Sequence, residues 1–129
     1  MKHTLLIIDD DKLIINTLRK RFATWDINVY AASTPLEARD LMVSITPDAV
    51  LLDVLLTKDD GSQSMIDYMK SHESLAYIPI LVLTNLDKPA LKELLLSQGV
   101  KEYIIKGSIG LEELYKKVLG YLEPEESVI

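Results

Sequence analysis

Short runs of apolar residues alternate along the chain with longer segments in which apolar residues recur every three or four positions. The short runs follow one another at intervals of about 25 residues and are bounded by polar residues, proline or glycine, which is typical of strands. Because the runs are almost continuously apolar, we expect strands that are buried on both faces. The predicted strands are Leu5–Ile8, Asn28–Ala31, Ala49–Leu52, Ile78–Leu83 and Glu102–Ile105.

The longer segments have the spacing of amphipathic helices. In the first of them, four apolar residues share one stripe and are predicted to be buried: Ile14, Leu18, Phe22 and Trp25. Thr34, Pro35 and Glu37 form an N-terminal capping signal for the second helix, and Gly99 ends the fourth. The predicted helices are Lys12–Trp25, Pro35 to about Ile45, a helix through Met65, Ile66 and Met69, Lys88–Gln98, and Leu111–Leu122.

Five strands that alternate with five helices predict a doubly wound α/β fold with a parallel sheet. Right-handed crossovers leave few topologies, and we expect the flavodoxin-like (βα)5 fold with strand order 2-1-3-4-5, whose ligand site lies at the carboxyl ends of strands 1 and 3. The prediction is one domain over residues 1–122, followed by a solvated acidic tail over residues 123–129.

The composition excludes several kinds of site and partner. The chain has 129 residues, 48% of them hydrophobic, and no cysteine, which fits one domain with its own core and excludes thiolate metal sites and cysteine nucleophiles. Its net charge of −6 disfavours nucleic acid and anionic membranes as partners. No apolar run approaches the ~18 residues of a membrane span, and the N-terminus lacks the pattern of a secretory signal. We therefore expect a cytoplasmic protein with neither a nucleic-acid nor a membrane partner.

Polar residues follow four of the predicted strands. Asp9–Asp11 follow the first, Asp53 the third, Thr84 the fourth and Lys106 the fifth. The carboxyl ends of parallel strands meet at one edge of the sheet, so these side chains should share a cleft. Clustered carboxylates repel one another unless a cation joins them, and ligands that are all oxygen favour Mg²⁺. The sequence therefore predicts a magnesium site at this edge.

Asp53 would be the nucleophile that accepts a phosphoryl group. The metal, Lys106 and the Thr84 hydroxyl would neutralise or hydrogen-bond the phosphoryl oxygens. For each residue taken alone a structural alternative stays open. Asp9–Asp11 could cap a helix, Thr84 could bond to the backbone at a strand end, and Lys106 could be a solvated lysine.

These strand ends resemble the receiver domain of two-component response regulators, the CheY-like family. The resemblance covers Thr4 to about Leu122 and is carried by four motifs that occur in the family's order. The motifs are Leu-Ile-Ile-Asp9-Asp10-Asp, Val-Leu-Leu-Asp53-Val-Leu-Leu, Leu-Val-Leu-Thr84 and Tyr103-Ile-Ile-Lys106.

The resemblance implies a receiver that is phosphorylated on Asp53. We expect a stand-alone receiver, and the alternative that it is one domain of a longer protein stays open. The resemblance also implies these Mg²⁺ ligands: Asp9, Asp10, Asp53 and the carbonyl oxygen of Leu55. Thr84 and Lys106 would contact the phosphoryl group. Thr84 and Tyr103 would form the switch that couples phosphorylation to the outer face, although Tyr103 could also be a core residue.

The sequence departs from the family pattern at three places: Leu56-Thr57 in place of Met-Pro, Asn85 in place of a small residue, and Gly107 in place of a cis proline. We expect a trans Lys106–Gly107 bond, because a cis bond without proline costs about 3–4 kcal/mol. Leu55 and Leu86 flank the site and offer no hydrogen bond to an attacking water, which predicts a long-lived phosphorylated state.

The implied partners are a sensor histidine kinase or a histidine phosphotransfer protein as donor, and a downstream effector protein that the sequence does not name. The oligomeric state, including a homodimer, is left open. The chain is interpreted as a signalling domain that catalyses only its own phosphorylation and dephosphorylation. The alternatives are a phosphorylation-independent interaction module with this fold and a haloacid-dehalogenase-like phosphatase, which needs a second acid where Leu55 stands.

Overall fold

The computed structural model describes residues 3–54 and 61–123 and contains, within them, a five-stranded sheet and five α-helices. The strands are β1 (His3–Ile8), β2 (Ile27–Ala32), β3 (Ala49–Leu52), β4 (Ile80–Thr84) and β5 (Glu102–Ile105). The helices are α1 (Lys12–Ala23), α2 (Pro35–Ser44), α3 (Gly61–Ser71), α4 (Pro89–Ser97) and α5 (Leu111–Leu122).

All strand pairs are parallel, and the order is β2-β1-β3-β4-β5. This confirms the flavodoxin-like fold that the alternation of elements predicted. The register aligns the carboxyl ends of the central strands, since Ile8 of β1 pairs with Leu52 of β3. The same edge of the sheet therefore receives the residues that follow both strands.

The core lies in two layers, one on each face of the sheet. Alternate strand residues enter opposite layers, so the strands are buried on both sides, as their apolar runs indicated. One layer packs β-strand residues such as Leu6 and Val50 against α2, α3 and α4. The other packs Leu5 and Leu51 against α1 and α5. Helices cover both faces of the sheet, so the polar residues that follow the strands lie at its carboxyl edge.

Helix α2 begins with the predicted N-cap at Thr34. The Thr34 hydroxyl accepts a hydrogen bond from the Glu37 N–H at 3.1 Å, and Pro35 occupies the first turn. The Glu37 carboxylate in turn accepts from the N–H of Ser33 at 2.7 Å. The Thr34 hydroxyl thus pairs one backbone donor of the first turn, while Glu37 pairs the N–H of Ser33, one residue before the N-cap, instead of the N–H of Thr34.

Three predicted boundaries differ from the structure by two residues, the first being the start of β1 at His3 rather than Leu5. Helix α1 ends at Ala23, and Trp25 lies in the following turn with 41% of its surface exposed rather than on the buried stripe. Strand β4 begins at Ile80, because Pro79 has no N–H to donate to a neighbouring strand. Residues 124–129 of the predicted tail lie outside the described ranges, while Glu123, predicted to be solvated, is buried. Across residues 3–54 and 61–123, no helix has the length and apolar character needed to cross a membrane.

Candidate functional site

Two buried carboxylates stand side by side at the carboxyl edge of the sheet. Asp9 directly follows β1 and Asp53 directly follows β3, with 2% and 4% of their surfaces exposed. Their backbones continue the sheet, because the Asp9 N–H donates to Ala32 and the Asp53 N–H donates to Ile8. The fold therefore fixes both residues before any ligand binds, as expected for a pre-organised site.

Lys106 joins these two acids. Its backbone N–H donates to the Thr84 carbonyl at 2.7 Å, and this bond fixes the Lys106 backbone at the end of β5. Its side chain reaches across the edge, so that Nζ lies 3.0 Å from Asp53 Oδ2 and 3.0 Å from Asp9 Oδ2. Only 12% of the side chain is exposed. The structure thus brings together Asp9, Asp53 and Lys106 in one buried cluster, and the solvated-lysine alternative does not hold.

The electrostatics of the cluster follow from burial and pairing. Burial disfavours the charged form and raises the pKa of Asp9, and the hydrogen bonds from Lys106 and the Asp11 N–H oppose this rise without cancelling it. Burial lowers the pKa of Lys106, but its hydrogen bonds to Asp9 and Asp53 outweigh that effect and leave the pKa raised. Lys106 is therefore an ammonium at neutral pH.

Thr84 and Tyr103 are linked through the backbone of Leu86. The Thr84 side chain is fully buried, and its Oγ1 accepts a hydrogen bond from the Leu86 N–H at 3.2 Å. The carbonyl of Leu86 accepts a hydrogen bond from the Tyr103 hydroxyl at 2.7 Å. Tyr103 is 9% exposed, and burial followed by the charge of Asp87 raises its pKa. Tyr103 is thus packed in the core while its hydroxyl holds the segment that follows β4.

Two further metal ligands were predicted, Asp10 and the carbonyl oxygen of Leu55. Asp10 is exposed at the rim, and Leu55 lies outside the described residues. No group of three or more His, Cys, Asp or Glu side chains suited to a metal ion occurs within residues 3–54 and 61–123. Mg²⁺ needs only one or two carboxylates, however, because it keeps several of its waters. The two carboxylates of Asp9 and Asp53 fit that requirement, since they carry one more charge than Lys106 neutralises.

Asp11 has a role that the sequence did not fully show. Its Oδ1 accepts hydrogen bonds from the N–H groups of Leu13 and Ile14 and so caps α1. This confirms the helix-cap alternative for Asp11. Its Oδ2 lies 3.8 Å from Lys106 Nζ, and no sequence signal distinguishes a cap that also faces a cation from one that does not.

The loop after β5 has the predicted geometry. The Lys106–Gly107 peptide is trans, and Gly107 adopts φ 84°, a region that favours glycine. A Cβ at this position would meet nothing within 4 Å. The backbone conformation, rather than lack of space, therefore favours glycine here.

Family comparison agrees with this geometry. A model of the response regulator receiver domain matches residues 5–119. The chain therefore belongs to the receiver domain family of two-component response regulators, CheY-like signalling domains. Among curated relatives, response regulator MprA of Mycobacterium bovis is 31% identical over 130 residues, covering 98% of this chain and 55% of the relative. The chain spans about half the length of the curated relatives it matches.

Solved structures share the fold. The non-phosphorylated receiver domain of HemR from Leptospira biflexa has a TM-score of 0.79 and 25% identity, covering 93% of this chain and 94% of that one. The Mn²⁺-bound form of response regulator Rcp1 has a TM-score of 0.75 and 23% identity, covering 96% and 94%. The fold and the family are thus established independently of the site.

Proposed function

We propose that this receiver domain accepts a phosphoryl group on Asp53 from a phosphohistidine donor in a Mg²⁺-dependent reaction. The observation that carries the proposal is the setting of Asp53. Its carboxylate is buried at a strand end, beside that of Asp9, with the Lys106 ammonium 3.0 Å away. Such a group is a fixed nucleophile with a fixed positive charge beside it.

The proposed metal ligands are Asp9, Asp10, Asp53 and the carbonyl oxygen of Leu55. Asp9 and Asp53 supply the buried oxygens that a hard cation prefers. The existence of a Mn²⁺-bound form of Rcp1, which shares the fold, is consistent with a divalent cation here. When bound, the ion supplies positive charge that offsets the charge of the phosphoryl oxygens.

The transfer itself needs no general base. A carboxylate oxygen of Asp53 forms a bond to phosphorus as the phosphorus–nitrogen bond of the donor breaks, and the electron pair of that bond goes to the imidazole nitrogen. The Lys106 ammonium and the Thr84 hydroxyl would neutralise or hydrogen-bond the phosphoryl oxygens. Lys106 already contacts Asp53, so it requires little movement to do so.

The proposed switch uses the link between Thr84 and Tyr103. If Thr84 Oγ1 turns to the phosphoryl group, the N–H of Leu86 loses its present partner. The carbonyl of the same residue holds the Tyr103 hydroxyl. A rearrangement of this segment would therefore reach the face formed by α4, β5 and α5, where we propose that an effector protein binds.

The proposed partners are a sensor histidine kinase or a histidine phosphotransfer protein, and a downstream effector. The net charge of −6 supports protein partners over nucleic acid or anionic lipid for this domain. The matched relatives are about twice as long as the chain, so their complete activities are not carried over.

Intact mass spectrometry tests the proposal. Incubation with acetyl phosphate and Mg²⁺ should add one phosphoryl group to the wild type, and chelation of the metal should prevent the addition. Asp53→Asn should remain unlabelled. Asp48→Asn, which removes a half-exposed acid at the opposite edge of the sheet, should be labelled like the wild type.

Two results would contradict the proposal. Labelling of Asp53→Asn at the wild-type rate would show that another residue is the acceptor. A folded wild type that no acyl phosphate, phosphoramidate or phosphohistidine donor labels would favour the phosphorylation-independent interaction module instead.

A further inference from the structure

Asp11 connects the start of α1 to the cation of the site. Its two carboxylate oxygens have different partners. Oδ1 accepts from the N–H groups of Leu13 at 3.1 Å and Ile14 at 3.3 Å, and Oδ2 faces Lys106 Nζ at 3.8 Å. The cap therefore fixes the orientation of the Asp11 carboxylate. In this orientation Oδ2, which carries part of the negative charge, faces the Lys106 ammonium.

The backbone of Asp11 contributes as well. Its N–H donates to Asp9 Oδ1 at 3.0 Å, and the same Oδ1 lies 3.3 Å from Lys106 Nζ. The cap holds the Asp11 backbone, and that backbone holds the carboxylate of Asp9. The side chain of Asp11 is 34% exposed while that of Asp9 is 2% exposed, so Asp11 forms the outer side of the Lys106 environment.

We propose that Asp11 is a positioning residue that holds Lys106 in place for phosphoryl transfer. This inference rests on the proposed function, in which Asp9 and Asp53 both change partners. Among the residues that the structure describes, three carboxylates lie within 4 Å of Lys106 Nζ, and Asp11 is the one of these that the reaction leaves unaltered. Its charge therefore keeps the ammonium at the site while the other two acids are engaged.

The capping and charge roles of Asp11 can be separated by substitution. Asp11→Ser keeps a good cap and removes the charge, whereas Asp11→Glu keeps the charge and removes a good cap. We expect Asp11→Ser to melt within about 1 °C of the wild type and to be labelled on Asp53 about 3-fold more slowly, the size expected for one partly exposed ion pair. Asp11→Glu should melt at a lower temperature but be labelled at nearly the wild-type rate.

A matched control removes the same charge elsewhere. Asp26→Asn neutralises an acid just beyond the opposite end of α1 and should leave the labelling rate unchanged. A second measurement needs neither metal nor phosphodonor. In the ¹⁵N NMR spectrum of the metal-free protein, the Lys106 ammonium signal should exchange with solvent faster in Asp11→Ser than in the wild type or Asp26→Asn.

The outcomes are distinguishable. If the labelling rates follow melting temperature rather than charge, Asp11 acts only as a helix cap and the inference is overturned. An unchanged Lys106 signal in Asp11→Ser would overturn it as well. If the wild type is not labelled at all while its Lys106 signal responds to Asp11→Ser, the proposed function fails but the contact between Asp11 and Lys106 stands.

Discussion

The two ends of β1 carry similar sets of side chains in different settings. At the carboxyl end, the carboxylates of Asp9 and Asp53 lie 3.0 Å from the Lys106 ammonium. At the amino end, His3 stands between two acids, with ring nitrogens 3.7 Å from the Asp48 carboxylate and 3.6 Å from the Glu123 carboxylate. Among the described residues, each end therefore has one basic side chain beside several acids: Asp11 lies 3.8 Å from Lys106 as a third acid, and His3 has two.

The number of buried acids and the kind of basic side chain separate the two ends. At the amino end Glu123 is buried, but Asp48 is not. Asp48 has 48% of its side chain exposed and accepts a hydrogen bond from the N–H of Thr4, so water and backbone stabilise its charge. Asp9 and Asp53 are both buried, and a charge that is removed from water needs a close, full countercharge. The carboxyl end alone thus combines a buried acid pair with a close ammonium, which is the arrangement suited to phosphoryl transfer.

The largest expected effect comes from removing the central basic side chain at each end. Lys106→Met leaves two buried carboxylates without their ammonium, and we expect the free energy of unfolding at pH 7 without metal to fall by about 3 kcal/mol. His3→Gln removes a partner that is 25% exposed and lies at least 3.6 Å from each acid, and the glutamine amide can still donate a hydrogen bond to the buried Glu123. This change should cost under about 1 kcal/mol. Urea unfolding of the two variants measures both losses.

If Lys106→Met and His3→Gln lose equal free energy of unfolding, the buried acid pair at the carboxyl end does not distinguish the two ends. Magnesium provides an internal check on Lys106→Met, because a cation that binds Asp9 and Asp53 should restore part of the lost stability. Magnesium should have no such effect on His3→Gln beyond its effect on the wild type.

Most of the fold could be predicted because strands and helices leave local patterns. Apolar runs located every strand to within two residues of its observed ends. Trp25 could not be placed, since no glycine or proline marks the end of α1 and its spacing continues the buried stripe. The chain leaves the helix through Asp26, a non-glycine residue with φ 60°, and tertiary packing rather than local sequence decides that turn.

The site could be predicted as far as strand ends position it. Parallel order alone brings Asp9, Asp53 and Lys106 to one edge, and the structure confirms that they meet. The contact of Asp11 with Lys106 depends on side-chain conformation. The link from Tyr103 to Leu86 uses a backbone carbonyl, which every residue type provides, so no sequence pattern could indicate it.

Magnesium should stabilise the protein through the carboxyl end only. Saturation to 100 times the Kd adds about 2.7 kcal/mol to the free energy of unfolding. Asp10→Ala should weaken this response and raise the stability of the metal-free protein, because it removes one of several clustered like charges. Asp48→Asn, the matched change at the amino end, should keep the full response. Thermal melts with and without Mg²⁺ decide this, and a wild type that does not respond would contradict the metal site.

Tyr121 provides a test at the amino edge that depends on pH. Its hydroxyl donates to Glu102 Oε2 at 2.8 Å, at the start of β5. Burial, followed by the bond to Glu102, raises the pKa of Tyr121 to about 12. Its contribution to stability is therefore complete below the unfolded pKa of about 10 and is lost as the pH rises through the folded value.

Tyrosinate absorbance measures this shift. Tyr121→Phe should remove a titration near pH 12. Tyr77→Phe, which removes a 90% exposed ring, is the control and should leave that titration in place. Tyr121→Phe should also lose less stability than the wild type between pH 10 and pH 12. If a titration near pH 12 persists in Tyr121→Phe, the raised pKa belongs to another residue.

The smallest expected effect concerns the turn between α1 and β2, also at the amino edge. Asp26 adopts φ 60°, a left-handed conformation that costs a residue with a Cβ roughly 1–2 kcal/mol, although aspartate tolerates it better than most. Asp26→Ala keeps the Cβ and loses that tolerance, so it should lower stability. Asp26→Gly removes the strain but gives the unfolded chain more conformational freedom, which offsets part of the gain.

We expect the free energy of unfolding, measured with urea, to be about 1 kcal/mol higher for the glycine variant than for the alanine variant. Magnesium should shift both variants equally, because the turn lies at the edge opposite the site. An alanine variant as stable as the glycine variant would show that the turn adopts another conformation in solution.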